Sequence, residues 1–272
     1  MSNPEAVDWI FNRVCSIIDA GNISMYRQDY GYTPLGDFTV MNTLGREGIA
    51  ENKYVQGYLS YWDRLIERYP NMMIDSCSAG GRRNDLETMR RSVPLHKSDS
   101  YYGEHELKQS THHSLFKWFP YFGAVVTSDP TKETPYALQS SNVPFPVHQL
   151  NMHTNPSFQS LQHFQETWTK CKDYFYDDYY TLTEWTADST KWLGWEFIDT
   201  AEGKGFIQLY RHVNAEEAEK QIYLKGLLAE ENYTLCDEYG VTLGTFSGKT
   251  LMESGVRITI PQKESGLVIF IN

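Results

Sequence analysis

Three polar clusters in this chain each follow a short apolar run: Met25-Tyr26-Arg27-Gln28-Asp29-Tyr30, Asp75-Ser76-Cys77-Ser78-Ala79-Gly80-Gly81-Arg82-Arg83-Asn84-Asp85, and Lys97-Ser98-Asp99. The first offers Asp29 and the last ends in Asp99. Two carboxyl groups held about 5–5.5 Å apart can carry out a double displacement at an acetal carbon. One, ionised, attacks; the other, protonated, gives its proton to the leaving oxygen and later takes one from water. Both must reach the same rim of the fold, so the elements that carry them decide whether the chemistry is open to them.

Asn3-Pro4 has the form of a helix start, a capping side chain followed by Pro at the first position. Val7, Ile10, Phe11, Val14, Ile17 and Ile18 then recur at helical spacing up to Gly21. Ile23-Ser24-Met25-Tyr26 reads as a strand delivering Asp29. Residues 54–69 give a second helix, ended by Pro70, and Met72-Met73-Ile74 a second strand delivering the Cys77-to-Gly81 turn. A short helix over residues 85–90 precedes a third strand, Val93-Pro94-Leu95. Residues 104–119 are again helical, and Gly123-Ala124-Val125-Val126 is a fourth strand. This alternation predicts parallel βα units with polar clusters at strand ends, the layout of a β/α-barrel site.

From about Gly194 the rhythm changes. Trp195-Glu196-Phe197-Ile198, Gly205-Phe206-Ile207-Gln208-Leu209-Tyr210, Glu219-Lys220-Gln221-Ile222-Tyr223-Leu224, Tyr233-Thr234-Leu235-Cys236, Val256-Arg257-Ile258-Thr259-Ile260 and Leu267-Val268-Ile269-Phe270-Ile271 are short strand-like runs separated by Gly and acidic residues. They predict an antiparallel β-sandwich. The expected organisation is a barrel-type α/β domain over 1–185 and a β-sandwich domain over 194–272, with a helix over 158–174 near their junction.

A net charge of −11 argues against non-specific binding of nucleic acid or anionic membranes. No run approaches the roughly 20 apolar residues that span a bilayer. The first helix carries Glu5, Asp8 and Asp19 instead of the basic start and apolar centre of a signal peptide, so the expected compartment is the cytoplasm. Cys15, Cys77, Cys171 and Cys236 lie far apart without a CxxC pair, and His112-His113, His148 and His153 lack the spacing of a metal set. No cofactor or metal is expected.

Taken together, in this order, the three clusters resemble those of the glycoside hydrolase family 36 α-galactosidases, the melibiases. Tyr26-Arg27-Gln28-Asp29 is similar to the family's Lys-Trp-Asp motif after strand four, with Arg27 for Lys and Gln28 for Trp. Cys77-Ser78-Ala79-Gly80-Gly81-Arg82-Arg83-Asn84-Asp85 is similar to its Cys-Ser-Ser-Gly-Gly-Gly-Arg-Phe-Asp turn after strand five, and Ser98-Asp99 matches the Ser-Asp after strand six. The resemblance runs on through Asp178-Tyr179-Tyr180-Thr181-Leu182-Thr183 and Lys225-Gly226-Leu227. It implies an incomplete (β/α)8 TIM barrel, strands four to eight, followed by the β-sandwich. It also implies Asp29 as nucleophile, Asp99 as acid/base, and Arg27, Cys77, Gly80, Gly81 and Arg83 against a terminal α-galactoside of an oligosaccharide or glycoconjugate. Where relatives often carry Arg near the last barrel strand, Tyr136-Ala137-Leu138-Gln139 has Gln.

Structural readings stand beside these. Asp29 alone would be a cap or turn residue and Cys77 a small buried hydrophobe. Arg83 and Asp85 would serve as a helix-capping salt bridge, and Asp75 as a buried carboxylate supporting Arg27. Half a barrel exposes an apolar edge at residues 23–26, so self-association or pairing with a missing N-terminal half is expected. The alternative function is a non-catalytic sugar-binding or scaffold remnant.

Overall fold

Asn3 starts the first helix as its sequence requires. Its side chain accepts from Glu5 N at 3.0 Å, and the helix α1 (Pro4–Gly21) ends where Asn22 turns left-handed. The structure is a computed structural model and describes residues 1–29, 34–99, 104–119, 121–126, 134–148 and 158–272; Tyr30 and His153 lie outside the described residues. The chain divides into two compact units, Met1–Asp99 and Ser100–Asn272.

In the first unit α1 is followed by β1 (Met25–Asp29), α2 (Leu35–Met41), α3 (Ile49–Arg68), β2 (Met73–Cys77) and α4 (Leu86–Met89). β1 and β2 are parallel, in register from Met25 opposite Met73 to Asp29 opposite Cys77. Apolar faces of α1 and α3 pack Val7, Ile18, Tyr61, Trp62 and Leu65 around Ile74. Each such side chain withdrawn from water stabilises the unit by roughly 1.5–3 kcal/mol. The strand expected at Val93-Pro94-Leu95 is reduced to one parallel bridge, Val93 beside Asp75. Val93 N donates to Ile74 O and Ser76 N to Val93 O, both at 2.9 Å. Pro94 has no N–H to continue the ladder.

The second unit contains α5 (His105–Leu115), β3 (Gly123–Val126), α6 (Pro135–Gln139), β4 (Phe145–His148), α7 (Phe158–Cys171), β5 (Asp178–Thr181), β6 (Trp192–Asp199), β7 (Lys204–Arg211), β8 (Glu219–Ile222), β9 (Asn232–Asp237), β10 (Thr242–Ser247), β11 (Val256–Thr259) and β12 (Ser265–Ile271). β3 and β4 form a parallel pair. The rest is antiparallel: a six-stranded sheet in the order β10-β9-β12-β7-β6-β5 and a two-stranded sheet of β11 and β8. Strands β6 and β7 of the six-stranded sheet are buried on both faces. Ile198, Ile207, Leu209 and Ile269 point to one core with Ile222 and Ile258, while Trp195, Phe197, Phe206 and Tyr210 point to another with Phe116 and Phe122. This alternation is the period of two that the sequence shows.

Two strands escape the sequence pattern within this sheet. β5 falls inside the segment expected to be barrel-type. β10 is an edge strand whose pairing with β9 shifts register between Thr242 and Gly244. Among the described residues no helix is long and apolar enough to cross a membrane.

Candidate active site

The site grows from the paired ends of β1 and β2, where Asp29 and Cys77 are register partners. Alternation along β1 puts Arg27 on the same face as Asp29. Arg27 Nη1 donates to Asp75 Oδ2 on the neighbouring strand, and Nη2 lies 3.5 Å from Asp29 Oδ2. Asp75 is 3% exposed, and its Oδ1 accepts from Leu95 N at 3.0 Å. It is the buried carboxylate under Arg27 that the sequence suggested, and it also fixes the start of the segment leading to Asp99. Partial burial works against the charge on Arg27; Asp75 first, then Cys77 and Asp29, outweigh it and hold the guanidinium above its ordinary value.

The other face of β1 belongs to packing. Gln28 Oε1 accepts from Trp62 Nε1 at 2.7 Å and from the Tyr26 hydroxyl at 3.1 Å. The Gln28 substitution therefore falls on the helix side of the strand, where Trp62 meets it, and not among the groups around Asp29.

After Cys77 the chain turns through three left-handed residues, Ala79, Gly80 and Gly81, with φ of 43°, 71° and 94°. The two glycines are needed for contact as well as conformation. A Cβ on Gly80 would come within 2.4 Å of Asp99 Cγ and 2.6 Å of Asp99 N, and one on Gly81 within 1.9 Å of Lys97 O. Asn84 Nδ2 donates to the same Lys97 oxygen at 3.2 Å. The glycines thus let the Lys97-Ser98-Asp99 segment lie directly on the turn, which links Asp99 to the end of β2.

Burial pushes the Cys77 thiol up, opposed by the Gly80 N–H and Arg27; the charge of the neighbouring Asp29 carboxylate raises it further. The side chains of Asp29 and Asp99 are 51% and 66% exposed, so both carboxyls are open to a ligand. The Arg83 guanidinium lies over the Tyr58 ring, 4.7 Å from the centroid. Burial is the main cause that pushes the Tyr58 phenol up to about 12. Asp85 caps α4, accepting from Thr88 N at 3.0 Å.

Residues 1–141, just over half of the chain, match the melibiase family, and residues 192–270 match the glycosyl hydrolase family 36 C-terminal domain. The chain belongs to the melibiase family. Among its relatives, the bifunctional alpha-galactosidase/sucrose kinase AgaSK of Mediterraneibacter gnavus is 24% identical over 268 residues, covering 94% of this chain and 27% of the relative. Alpha-galactosidase AgaA of Geobacillus stearothermophilus is 20% identical over 280 residues, covering 98% and 37% respectively. The chain thus spans well under half the length of these curated relatives.

Solved structures share the fold over the whole chain. The galactosidase domain of AgaSK superposes with a TM-score of 0.78 at 18% identity, and AgaA in complex with raffinose with a TM-score of 0.80 at 15% identity; the chain covers 37% and 38% of those proteins. The raffinose complex carries an Asp-to-Asn replacement, and a stachyose complex of the same enzyme an Asp-to-Ala replacement. Those two aspartates are separated in AgaA by as many residues as separate Asp29 from Asp99 here.

Within this melibiase chain the first unit brings together Arg27, Asp29, Cys77, Gly80, Gly81 and Asp99, while Arg83 packs on α3. The run Tyr136-Ala137-Leu138-Gln139 lies in α6, just before β4, where Thr134 and Pro135 start a helix; Thr134 Oγ1 accepts from Ala137 N at 3.2 Å. Gln139 is buried, and its amide donates to Glu238 Oε1. The last parallel strand is β4, which sequence reasoning missed. It also missed His96, whose Nε2 lies 2.9 Å from Asp99 Oδ1. No pattern marks His96 beyond its place three residues before the aspartate. His112 and His113 occupy core positions on α5, and burial lowers His113 to about 4.

Proposed function

We propose that this chain carries the catalytic pair of a retaining glycosidase acting on terminal α-galactosides. The observation that carries the reading is the linkage of both aspartates to one rim: Asp29 opposite Cys77 in register, and Asp99 lying on the Gly80 turn that follows Cys77. In this reading Asp29, ionised beside Arg27, attacks the anomeric carbon as the glycosidic bond breaks. Asp99 gives its proton to the departing oxygen, leaving a glycosyl ester on Asp29. Asp99, now a carboxylate, takes a proton from water as that water attacks the ester, and two inversions yield net retention. The equal spacing of the two aspartates replaced in the sugar complexes of AgaA supports reading Asp29 and Asp99 as a pair.

Arg27 is assigned the task of pairing with the Asp29 carboxylate and donating to a sugar hydroxyl. Cys77, Gly80 and Gly81 would form the floor over which the sugar lies. Arg83 would support that floor through Tyr58. The outer edge of β1 has no strand partner among the described residues, and Ile23 and Met25 beside it are 39% and 41% exposed. An edge of this kind normally recruits cover, so further polypeptide is assigned to complete the sugar pocket.

Hydrolysis of an aryl α-galactoside and of raffinose, by the chain alone and with any co-expressed upstream polypeptide, tests the reading. NMR of the first-formed galactose should show the α anomer. The β anomer would overturn the retaining mechanism. Absence of turnover in both preparations, with galactoside binding retained, would favour the non-catalytic sugar-binding alternative.

A further inference from the structure

Asp99 stands on an exposed turn with a side chain that has two free torsions, yet an acid/base must present one oxygen to the leaving group. Two contacts restrain it. His96 Nε2 lies 2.9 Å from Oδ1, and the Gly80 Cα faces the other side of the carboxyl, where a Cβ would stand 2.6 Å from Oδ2. The His96 side chain is 19% exposed against 66% for Asp99, so the imidazole is the better anchored of the two. The turn beneath also carries Arg83, whose guanidinium lies over the Tyr58 ring.

We propose that His96 is a positioning residue for the acid/base: by holding Oδ1 of Asp99 it leaves Oδ2 as the oxygen that delivers and recovers the catalytic proton. The inference rests on the reading of Asp99 as acid/base given above. In the first half-reaction the Oδ2 proton passes to the leaving oxygen, which keeps the electrons of the broken C–O bond, and the carboxylate left behind stays hydrogen-bonded to Nε2–H. In the second, Oδ2 takes a proton from water while the water oxygen bonds to the anomeric carbon. His96 gains and loses nothing. Its contribution is orientation, which matters because a misplacement of about 1 Å can cost on the order of 100-fold in rate.

The test compares His96→Ala, His96→Gln and Asp99→Ala across raffinose and aryl α-galactosides of graded leaving ability. His96→Ala should lower kcat/KM for raffinose by about 10- to 100-fold and for a nitrophenyl galactoside by less than about 3-fold, because only the poor leaving group needs a well-aimed proton. His96→Gln, which keeps an N–H donor at similar reach, should recover most of the loss. A merely structural role would depress both substrates alike, and that result overturns the proposal. If Asp99→Ala shows no leaving-group bias, the acid/base reading itself fails; if Asp99→Ala shows it and His96→Ala does not, only the role of His96 fails.

A second measurement needs no turnover. In the chain carrying 15N-labelled histidine, the His96 Nε2–H resonance should be observed and then lost or displaced in Asp99→Ala, with the other histidine signals unchanged. An unmoved His96 signal would also overturn the proposal.

Discussion

Gly80→Ala is the substitution that most sharply probes how the turn after β2 builds the site. Two costs can be separated. The residue has φ of 71°, and an L side chain in that left-handed region costs roughly 1–2 kcal/mol. The added methyl would also stand 2.4 Å from Asp99 Cγ and 2.6 Å from Asp99 N. Ordinary carbon contacts lie near 3.5–4.0 Å, so the aspartate must retreat by about 1 Å, and rotation of its side chain cannot help because a backbone nitrogen is among the obstructed atoms. Overpacking of this kind adds roughly 1–3 kcal/mol, for an expected total of about 2–5 kcal/mol. Gly45→Ala is the control: φ is 75° and nothing lies within 4 Å of its Cβ position, so only the conformational cost applies. Urea denaturation of the two variants should therefore differ by about 1–3 kcal/mol. Displacing Asp99 by about 1 Å should also cost on the order of 100-fold in kcat/KM for raffinose, with a much smaller loss for a nitrophenyl galactoside. Equal stabilities for the two variants, with raffinose turnover intact, would refute the placement of Asp99 on the Gly80 turn.

Burial pushes Glu196 up to about 8 from an ordinary 4.5. Between those values the folded chain holds a proton that the unfolded chain has released, so stability should fall as pH rises through that window, by on the order of 5 kcal/mol in full. Glu196→Gln keeps an acceptor for Lys225 N and should flatten the profile in urea melts from pH 5 to 8, leaving a smaller slope from Glu238, which burial pushes up to about 7; an unchanged slope would show that Glu196 is not the titrating group. Asp75→Asn weakens the support of Arg27 and should destabilise the first unit by about 1–3 kcal/mol, seen as earlier loss of amide protection in β1 and β2 by hydrogen exchange; unchanged protection would contradict it. Trp62→Phe removes the donor to Gln28 and should cost about 1 kcal/mol in a melt while leaving galactoside turnover unaltered.

What was legible in the sequence follows from how locally each feature is determined. α1 is set by Asn3, Pro4 and its apolar period, and all of these lie within one segment. The polar clusters were readable because residue types and order carry them. Their junction was not: that Gly80 and Gly81 serve to let residues 97–99 settle on the turn depends on a contact between segments. The helix-facing role of Gln28 likewise needed Trp62, which has no motif of its own. At Val93-Pro94-Leu95 the sequence pattern overstates the strand, because proline interrupts a ladder that its β-branched neighbour favours. β10 leaves little trace in the sequence, because Gly244 and the exposed residues of an edge strand blur its alternation. His96 left no signal, since one histidine near an aspartate acquires meaning only from the 2.9 Å contact.

The central claim is the division of labour between Asp29 and Asp99, and azide rescue tests it most directly. Asp29→Ala and Asp99→Ala are each supplied with azide and an activated aryl α-galactoside, in the preparation that turns over, and the products are assigned by NMR. Loss of the nucleophile should let azide attack directly, giving β-galactosyl azide. Loss of the acid/base should leave the glycosyl ester on Asp29 to be opened by azide, giving α-galactosyl azide. The reverse assignment, the same anomer from both variants, or normal turnover by Asp29→Ala without azide would contradict the account.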